Sequence, residues 1–294
     1  MNSSNKSYFF AGLSVLFWST VATAFKLALH DLDFIQLIFY ASGVTVVILF
    51  FFFFIQGKLN LLFQQTAGQI AGSAVVGALY PFIYYLILFK AYSLLPAQLA
   101  QPLNMVWPIT LALLSVPLLN QKIGWVSIVA LFISFTGVVF ISSQGGISGF
   151  QNTNIPGVLL ALSSSIIWSL YWILNVRDKR DEIVKLFLNF FFGFIFLAVA
   201  VGLFSSYRIE IGGGFYAAIY VGIFEAGITY VFWMKALKYS TNNARIGNLI
   251  FISPFISLIF IHFILGETIY ITTFIGLVFI VTGIFLQQLD KKRT

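Results

Sequence analysis

Ten stretches of about 20 mostly apolar residues follow one another along the chain, and short polar connections separate them. When it is helical, an apolar run of this length matches the thickness of the hydrocarbon core of a bilayer. A helix satisfies its own backbone hydrogen bonds, which lipid cannot do. The sequence therefore predicts an all-α polytopic membrane protein. The predicted spans are 8–29, 34–55, 68–89, 96–119, 123–142, 156–176, 183–204, 214–236, 242–264 and 269–289.

The composition and the connections exclude several classes of protein. Charged residues make up 9% of the 294 residues, against roughly 25% in soluble domains, so most of the surface must meet lipid. The chain has no cysteine, and we predict neither a metal site nor a cofactor. No connection is long enough for a soluble enzyme domain. His30 lies in a predicted loop and His262 stands alone on an apolar helix, and the spans contain no His-Glu pair, no GxSxG motif and no pair of aspartates. An intramembrane enzyme or assembly factor is therefore the weakest interpretation.

The distribution of lysine and arginine predicts the orientation. If the N-terminus is cytoplasmic, 13 of the 16 Lys and Arg residues fall on the cytoplasmic side. We therefore predict a multi-pass protein of the cell inner (plasma) membrane with both termini in the cytoplasm. The net charge of +7 then reflects topology, and no nucleic-acid partner is predicted. The predicted partners are a small-molecule substrate and the lipid bilayer, and ten spans suffice for a monomer.

The two halves of the chain resemble each other. Residues 89–140 align with residues 234–285, and Lys90 falls on Lys235 at a shift of 145. Gly77 falls on Gly222 at the same shift, and the Trp-Ser pair at 18–19 falls on the pair at 168–169 at a shift of 150. So many matches at nearly constant shifts indicate an internal repeat.

Each half carries five spans. Because five is odd, the second half enters the membrane from the opposite side, which is the inverted-repeat architecture of many secondary transporters. We therefore predict one five-helix repeat at 1–145 and a second, inverted repeat at 146–294.

These features resemble the EamA branch of the drug/metabolite transporter superfamily. The resemblance is carried by the ten spans in two halves, the two Trp-Ser pairs, and the run LGET…G…TG at 265–283. In the first half Gln121 stands where Glu267 stands in the second. The resemblance implies an exporter of amino acids or other metabolites. It also implies a central cavity lined by the first, third and fourth helices of each half, and the aligned Trp18 and Trp168 belong to those first helices.

Glu225 is a single carboxylate within an otherwise apolar span. On a helix it shares a face with the small or polar residues Gly222 and Thr229. A charged side chain at the centre of a span costs at least ~2.5–3.5 kcal/mol in lipid, so we expect this face to point into the bundle. The equivalent position of the first half is Tyr80, and Tyr84 lies on the same face.

Three interpretations of Glu225 stay open. It binds the ammonium group of a substrate, it carries a proton and couples transport to the proton gradient, or it is a structural acid bonded to a threonine, a tyrosine or a backbone amide. Lys26, near the outer end of the first span, has a similar ambiguity. It contacts a substrate carboxylate or pairs with Glu225, or its stem reaches to the interface near Asp31 and Asp33.

Two further helix faces are candidates for lining the cavity. Trp168, Trp172 and Asn175 share a face of the sixth span, which suits flat or apolar substrates and cations. The alternatives are ordinary packing or an interfacial aromatic belt. Asn104 and Asn248 lie early in the fourth and ninth spans and are expected to point inward, because amides in lipid must be satisfied.

Two charged residues near helix ends are not among the predicted substrate-binding residues. Arg245 is predicted to be a cytoplasmic anchor, or a carboxylate clamp if it faces inward. Glu267 is predicted to be structural, since a carboxylate at the start of the last helix favours the helix dipole.

Together these patterns predict a secondary-active transporter that exports small metabolites by alternating access. Amino acids are the first choice, and aromatic or bulky ones are favoured. The alternatives are an importer or a proton-coupled exchanger of drugs, cations or other metabolites, with Glu225 carrying the proton. The predicted substrate-binding residues are Trp18, Lys26, Tyr80, Tyr84, Asn104, Trp168, Trp172, Asn175, Glu225 and Asn248.

Overall fold

The computed structural model is helical throughout its regular elements, and it describes residues 3–120, 124–146, 149, 151, 153–208, 211–240 and 243–290. Ten helices among these residues are long and apolar enough to cross a bilayer, which confirms the predicted all-α polytopic fold. They are α1 (Ser4–Asp31), α2 (Phe34–Ile55), α3 (Ala67–Leu94), α4 (Ala97–Leu119), α5 (Trp125–Ser142), α6 (Ile155–Arg177), α7 (Glu182–Phe204), α8 (Gly213–Tyr239), α9 (Ile246–Leu265) and α10 (Ile271–Gln288).

Side chains in the connections define where several helices begin. Asp33 and Gln36 form a capping box at the start of α2, in which the Asp33 carboxylate accepts from the Gln36 backbone N–H at 2.9 Å. Thr66 and Gln69 form the same arrangement at the start of α3. Asn154 caps α6 through its side-chain oxygen. These contacts satisfy backbone donors that the first helical turn leaves free.

Four of the ten helices are interrupted, and the interruptions occupy equivalent places in the two halves. A wide turn of π type lies at Ala78–Ile83 in α3 and at Gly222–Gly227 in α8. In α3, Tyr80 has φ −141° and ψ 117° and leaves the helical path, as expected for a residue that precedes proline. A 3₁₀ turn at Leu249–Ile252 interrupts α9, and two residues separate the two helical segments of α4.

The helices form two compact units, each of which combines helices from both halves of the sequence. One unit comprises Met1–Phe82 and Arg180–Leu265. Within it, α1 packs on α8 and α9, α2 packs on α7 and α8, and the first part of α3 packs on α7. The other unit comprises Ile83–Lys179 and Gly266–Thr294. Within it, α6 packs on α4 and on the second part of α3, and α5 packs on α10.

These packing pairs are related by an exchange of the two halves. The repeat makes α1–α5 equivalent to α6–α10, in that order. Under this exchange the α1–α8 pair corresponds to α6–α3, and the α1–α9 pair corresponds to α6–α4. The α2–α8 pair becomes α7–α3, while α2–α7 and α5–α10 are their own counterparts. The packing thus follows the internal repeat. The boundary between the repeats at residue 145 stays a prediction.

Equivalent glycines bring helices of the first unit together. A Cβ atom built on Gly77 would lie 2.5 Å from the carbonyl oxygen of Asn189 in α7. One built on Gly222 would lie 2.4 Å from the carbonyl oxygen of Ala41 in α2. No real Cβ fits at such distances, so only glycine permits these helices to approach so closely.

Candidate substrate-binding site

Glu225 lies in the wide turn of α8, in the first unit. Gly222 and Thr229, which the sequence places on its face, are buried, and Glu225 itself is half-buried. Trp18 of α1 donates its indole N–H to the backbone carbonyl oxygen of Glu225 at 3.0 Å. The Thr229 hydroxyl donates to the carbonyl oxygen of Phe224 at 2.5 Å. Because a π turn shifts the helical hydrogen bonds, side-chain donors at these carbonyls stabilise the turn around the acid.

Tyr80 occupies the corresponding turn of α3 and lies in the same unit. It is 1% exposed, and its ring meets the Phe190 ring edge-on at 5.3 Å between centroids. The remaining predicted residues of this unit are Lys26 on α1 and Asn248 on α9, and both are half-buried. Whether these residues bind substrate stays a prediction.

A hydrogen-bonded polar group lies among the aromatic residues of the second unit. The Tyr84 hydroxyl donates to the Asn104 side-chain oxygen at 3.3 Å, and the Asn104 amide nitrogen donates to the Ser164 hydroxyl at 2.8 Å. These three residues belong to α3, α4 and α6. The arrangement orients Asn104 between two helices, as the inward-facing prediction for this amide requires.

Aromatic rings continue from Tyr84 along α6. Trp168 packs on Tyr84 at 5.0 Å between ring centroids and meets Trp172 edge-on at 6.0 Å. Trp107 of α4 stacks on Trp172 at 6.4 Å with an interplanar angle of 14°. Among the described residues, the buried indole N–H of Trp172 has no hydrogen-bond partner. Asn175, one turn further along α6, is half-buried.

Glu267 caps a different helix from the one that the sequence indicates. Its carboxylate accepts the backbone N–H groups of Ala97 at 2.8 Å and Gln98 at 3.1 Å, at the start of α4. In return, the Gln98 side chain donates to the carbonyl oxygen of Thr268 at 2.7 Å. The acid therefore caps α4 and stabilises the dipole of that helix. The side chain of Arg245 and all of Gln121 lie outside the described residues.

Two polar residues of α7 escaped the sequence prediction. Lys185 and Asn189 are each 2% exposed and lie four residues apart, so they share one face of α7. Near the start of the same helix, Arg180 donates to the hydroxyl of the fully buried Ser73 at 2.8 Å. The signal in the sequence was the spacing of a lysine and an asparagine within an apolar run.

An ion pair joins two connections at this end of the first unit. The Lys58 ammonium lies 2.7 Å from the Asp181 carboxylate, which also accepts the backbone N–H groups of Ile183 and Val184. Partial burial of Asp181 favours its neutral form. The hydrogen bond from Lys58 and those from the backbone outweigh this and hold the pKa of the carboxyl below its ordinary value.

The C-terminal end of α1 holds another close pair of ionisable groups. His30 Nδ1 lies 2.6 Å from the Asp31 carboxylate, whose second oxygen accepts the Gly214 backbone N–H at 2.7 Å. Across the part of the chain that the structure describes, no three His, Asp or Glu side chains group together in a way that would hold a metal ion.

Comparisons with known proteins place these features in a family. The model of the EamA-like transporter family matches residues 5–143 and 155–287. An uncharacterized transporter of Clostridium kluyveri is 27% identical over 98% of this chain and 94% of its own length. The aromatic amino acid exporter YddG of Ancylobacter novellus is 25% identical over 76% of this chain and 77% of its own length. One solved structure superposes with a TM-score of 0.67 over 99% of both chains at 18% identity, which establishes the fold alone.

Proposed function

The chain belongs to the EamA-like transporter family and is a multi-pass membrane transporter, and from this premise we propose that it exports amino acids, with aromatic and bulky ones favoured. The observation that carries the proposal is the aromatic surface of the second unit. Tyr84 donates to Asn104 and packs on Trp168, which in turn meets Trp172 edge-on. The indole N–H of Trp172 has no acceptor among the described residues. Rings of this kind bind a flat side chain.

One relative supports the choice of substrate. The Ancylobacter protein is named as an exporter of aromatic amino acids, and its similarity covers about three quarters of both chains. Aromatic substrates also match the ring contacts described above. The name of the Clostridium kluyveri transporter gives no substrate.

The mechanism that we propose is alternating access between two inverted halves. The exchange relation between helix pairs, the paired interruptions of α3 and α8, and the equivalent glycine contacts all support two repeats with the same internal packing. Five helices per repeat favour opposite insertion. We place the protein in the inner (plasma) membrane with both termini cytoplasmic, because that orientation puts 13 of the 16 Lys and Arg residues inside.

Transport by the purified protein in liposomes tests the proposal. Labelled tryptophan, phenylalanine, leucine, lysine and glutamate are each offered to preloaded vesicles, with and without an imposed pH gradient. We expect exchange of tryptophan and phenylalanine to exceed that of lysine and glutamate by at least about tenfold, the difference that 1.4 kcal/mol of binding produces.

Variants at two kinds of tryptophan sharpen this test. Trp168→Leu and Trp172→Leu are expected to lose most of the preference for aromatic substrates. Trp125→Leu is the matched control, because Trp125 on α5 is 75% exposed and lies outside the ring cluster. If the wild type moves none of the five amino acids, or if all three variants behave alike, the proposed substrate class is wrong.

The alternative is a proton-coupled exchanger of drugs, cations or other metabolites. The half-buried Glu225 within the turn of α8 is the observation that favours it, because ionisable residues inside a bundle often carry protons. Organic cations offered in the same vesicles distinguish the two functions. Exchange of cations that responds to the pH gradient, without exchange of amino acids, would support the alternative.

A further inference from the structure

Asn189 is one of several residues of the first unit, with Thr23 and Ser257, whose buried side-chain oxygen has no hydrogen-bond partner among the described residues, and of these three it alone carries an amide. The residue is 2% exposed. Buried amides in native proteins are nearly always satisfied, and in a membrane bundle water is scarce. A group that binds here from outside the chain would explain why this amide is present.

Packing alone does not require an amide at this position. The backbone carbonyl of Asn189 meets Gly77, and in the other half the backbone carbonyl of Ala41 meets Gly222 in the same way. The two glycines are equivalent in the repeat, so Ala41 performs in α2 the packing role that Asn189 performs in α7. The backbone contact with the glycine therefore does not require an amide side chain at this position.

A buried cation lies one helical turn from Asn189. The side chain of Lys185 is 3% exposed, and its ammonium lies 2.8 Å from the Glu182 carboxylate, whose side chain is 59% exposed. An ion pair with a solvated partner three residues away contributes little to stability.

The surroundings of this pair suit a substrate with an aromatic side chain. Phe190, the residue after Asn189, holds the ring of Tyr80 edge-on at 5.3 Å. Tyr80 is the residue of the first half that corresponds to Glu225. Arg180 and Ser73 add further polar groups near the start of α3 and α7. One face of α7 thus offers a cation, an unused acceptor and, beside them, two aromatic rings.

We infer that Lys185 and Asn189 bind the headgroup of an α-amino acid, with the substrate carboxylate on the Lys185 ammonium and the substrate ammonium on the Asn189 side-chain oxygen. The headgroup is then held on α7, next to Phe190 and the Tyr80 ring that packs on it. This site rests on the proposed function and names the group that distinguishes an amino acid from other flat molecules. By the predicted orientation, it lies near the cytoplasmic end of α7 and loads substrate from inside.

Substrates that lack one half of the headgroup test this assignment. Tryptamine lacks the carboxylate, and indole-3-propionate lacks the ammonium. Each compound competes with labelled tryptophan in the exchange assay, and wild-type protein is expected to bind either analogue about tenfold more weakly than tryptophan. Asn189→Ala introduces the residue found at the equivalent position, Ala41. It should weaken the binding of tryptophan about tenfold and leave the affinity for indole-3-propionate unchanged. Lys185→Met should weaken the binding of tryptophan by a similar factor and leave the affinity for tryptamine unchanged.

A matched control and a second variant keep the test decisive. Gln287→Leu replaces another buried amide, in α10 of the second unit, and should change none of the three affinities. If Lys185→Met does not fold, Lys185→Gln replaces it. The headgroup site is wrong if Asn189→Ala changes all three affinities equally or changes none, as an amide that holds only water would. If the wild type does not move tryptophan at all, the proposed function fails as well.

Discussion

Trp18 donates its indole N–H to the backbone carbonyl of Glu225 at 3.0 Å, and so joins α1 to the wide turn of α8. Removal of this donor tests how strongly the turn depends on a single hydrogen bond. Trp18→Phe keeps a large ring but leaves that carbonyl unsatisfied, and we expect a loss of about 1–3 kcal/mol in the free energy of unfolding. Thermal unfolding in detergent measures the change. Trp233→Phe alters a neighbouring ring of the same cluster, and an equal loss there would contradict a specific role for the Trp18 bond.

The close approach at Gly77 and Gly222 predicts a strong effect of a single methyl group. Alanine at either position would force its Cβ against a carbonyl oxygen, and we expect destabilisation by about 1–3 kcal/mol or loss of folded protein. Gly72→Ala is the control on the same helix as Gly77, because no atom lies within 4 Å of its built Cβ. Folded yield and thermal stability are compared for the three variants. Equal behaviour of all three would contradict the predicted steric role.

Glu225→Gln separates the roles that stay open for this acid. We expect the variant to exchange tryptophan about tenfold more slowly, because a neutral amide neither attracts an ammonium group nor carries a proton. Rates are measured at several pH values, with and without a pH gradient. Loss of the pH response alone would assign Glu225 to proton coupling, and a uniform loss of rate would assign it to substrate. Normal transport at every pH would leave a structural role.

The lowered pKa of Asp181 predicts a pH-dependent contribution to stability. A carboxyl whose folded-state pKa lies below its ordinary value of 3.8 stabilises the fold above that value, and the contribution disappears as the pH falls through the folded-state pKa. Wild-type protein should therefore lose stability more steeply than Asp181→Asn as the pH falls below about 4. Asp181→Asn should be the less stable protein at pH 7. Thermal unfolding from pH 7 to pH 2.5 measures both.

The partner of Asp181 supplies the control for this prediction. Lys58→Met removes the ammonium 2.7 Å away but keeps the carboxyl and its backbone donors, so it should move the acid transition to higher pH. Parallel stability curves for the wild type and both variants would contradict the assigned cause.

Glu267 should stabilise α4 through its carboxylate. Glu267→Ala removes the acceptor of two backbone N–H groups, and we expect a loss of about 0.5–2 kcal/mol. Glu267→Gln keeps one acceptor oxygen and should lose less. Thermal unfolding of the two variants gives the order, and a greater loss for Gln than for Ala would contradict the capping role.

The sequence predicts the spans well because apolar length is a local property. The third span is the clearest exception: it was expected to end at Phe89, before Lys90, but the helix continues to Leu94. Lys90 is exposed there, so its charge does not oblige the helix to stop. The start predicted for the ninth span, at residue 242, lies outside the described residues.

Contacts between distant segments could not be read from local patterns. Glu267 caps a helix whose first residues lie 170 positions earlier in the chain, so its spacing to the next helix pointed to the wrong partner. The sequence predicts Lys185 only as one of the cytoplasmic charges, and nothing in it distinguishes Asn189 within the phenylalanine-rich α7. Burial and the glycine contacts, which need a structure, distinguish these two residues from their neighbours.

The interleaved packing of helices has a consequence for how such a chain arose. In the first unit α8 and α9 pack on α1, and in the second unit α4 and part of α3 pack on α6. A polypeptide with only five helices would leave these surfaces bare. We therefore expect a single repeat, as an ancestor before duplication and fusion would have been, to fold only with a copy of itself. A chain cut between α5 and α6 should still form its core only when both fragments are made together.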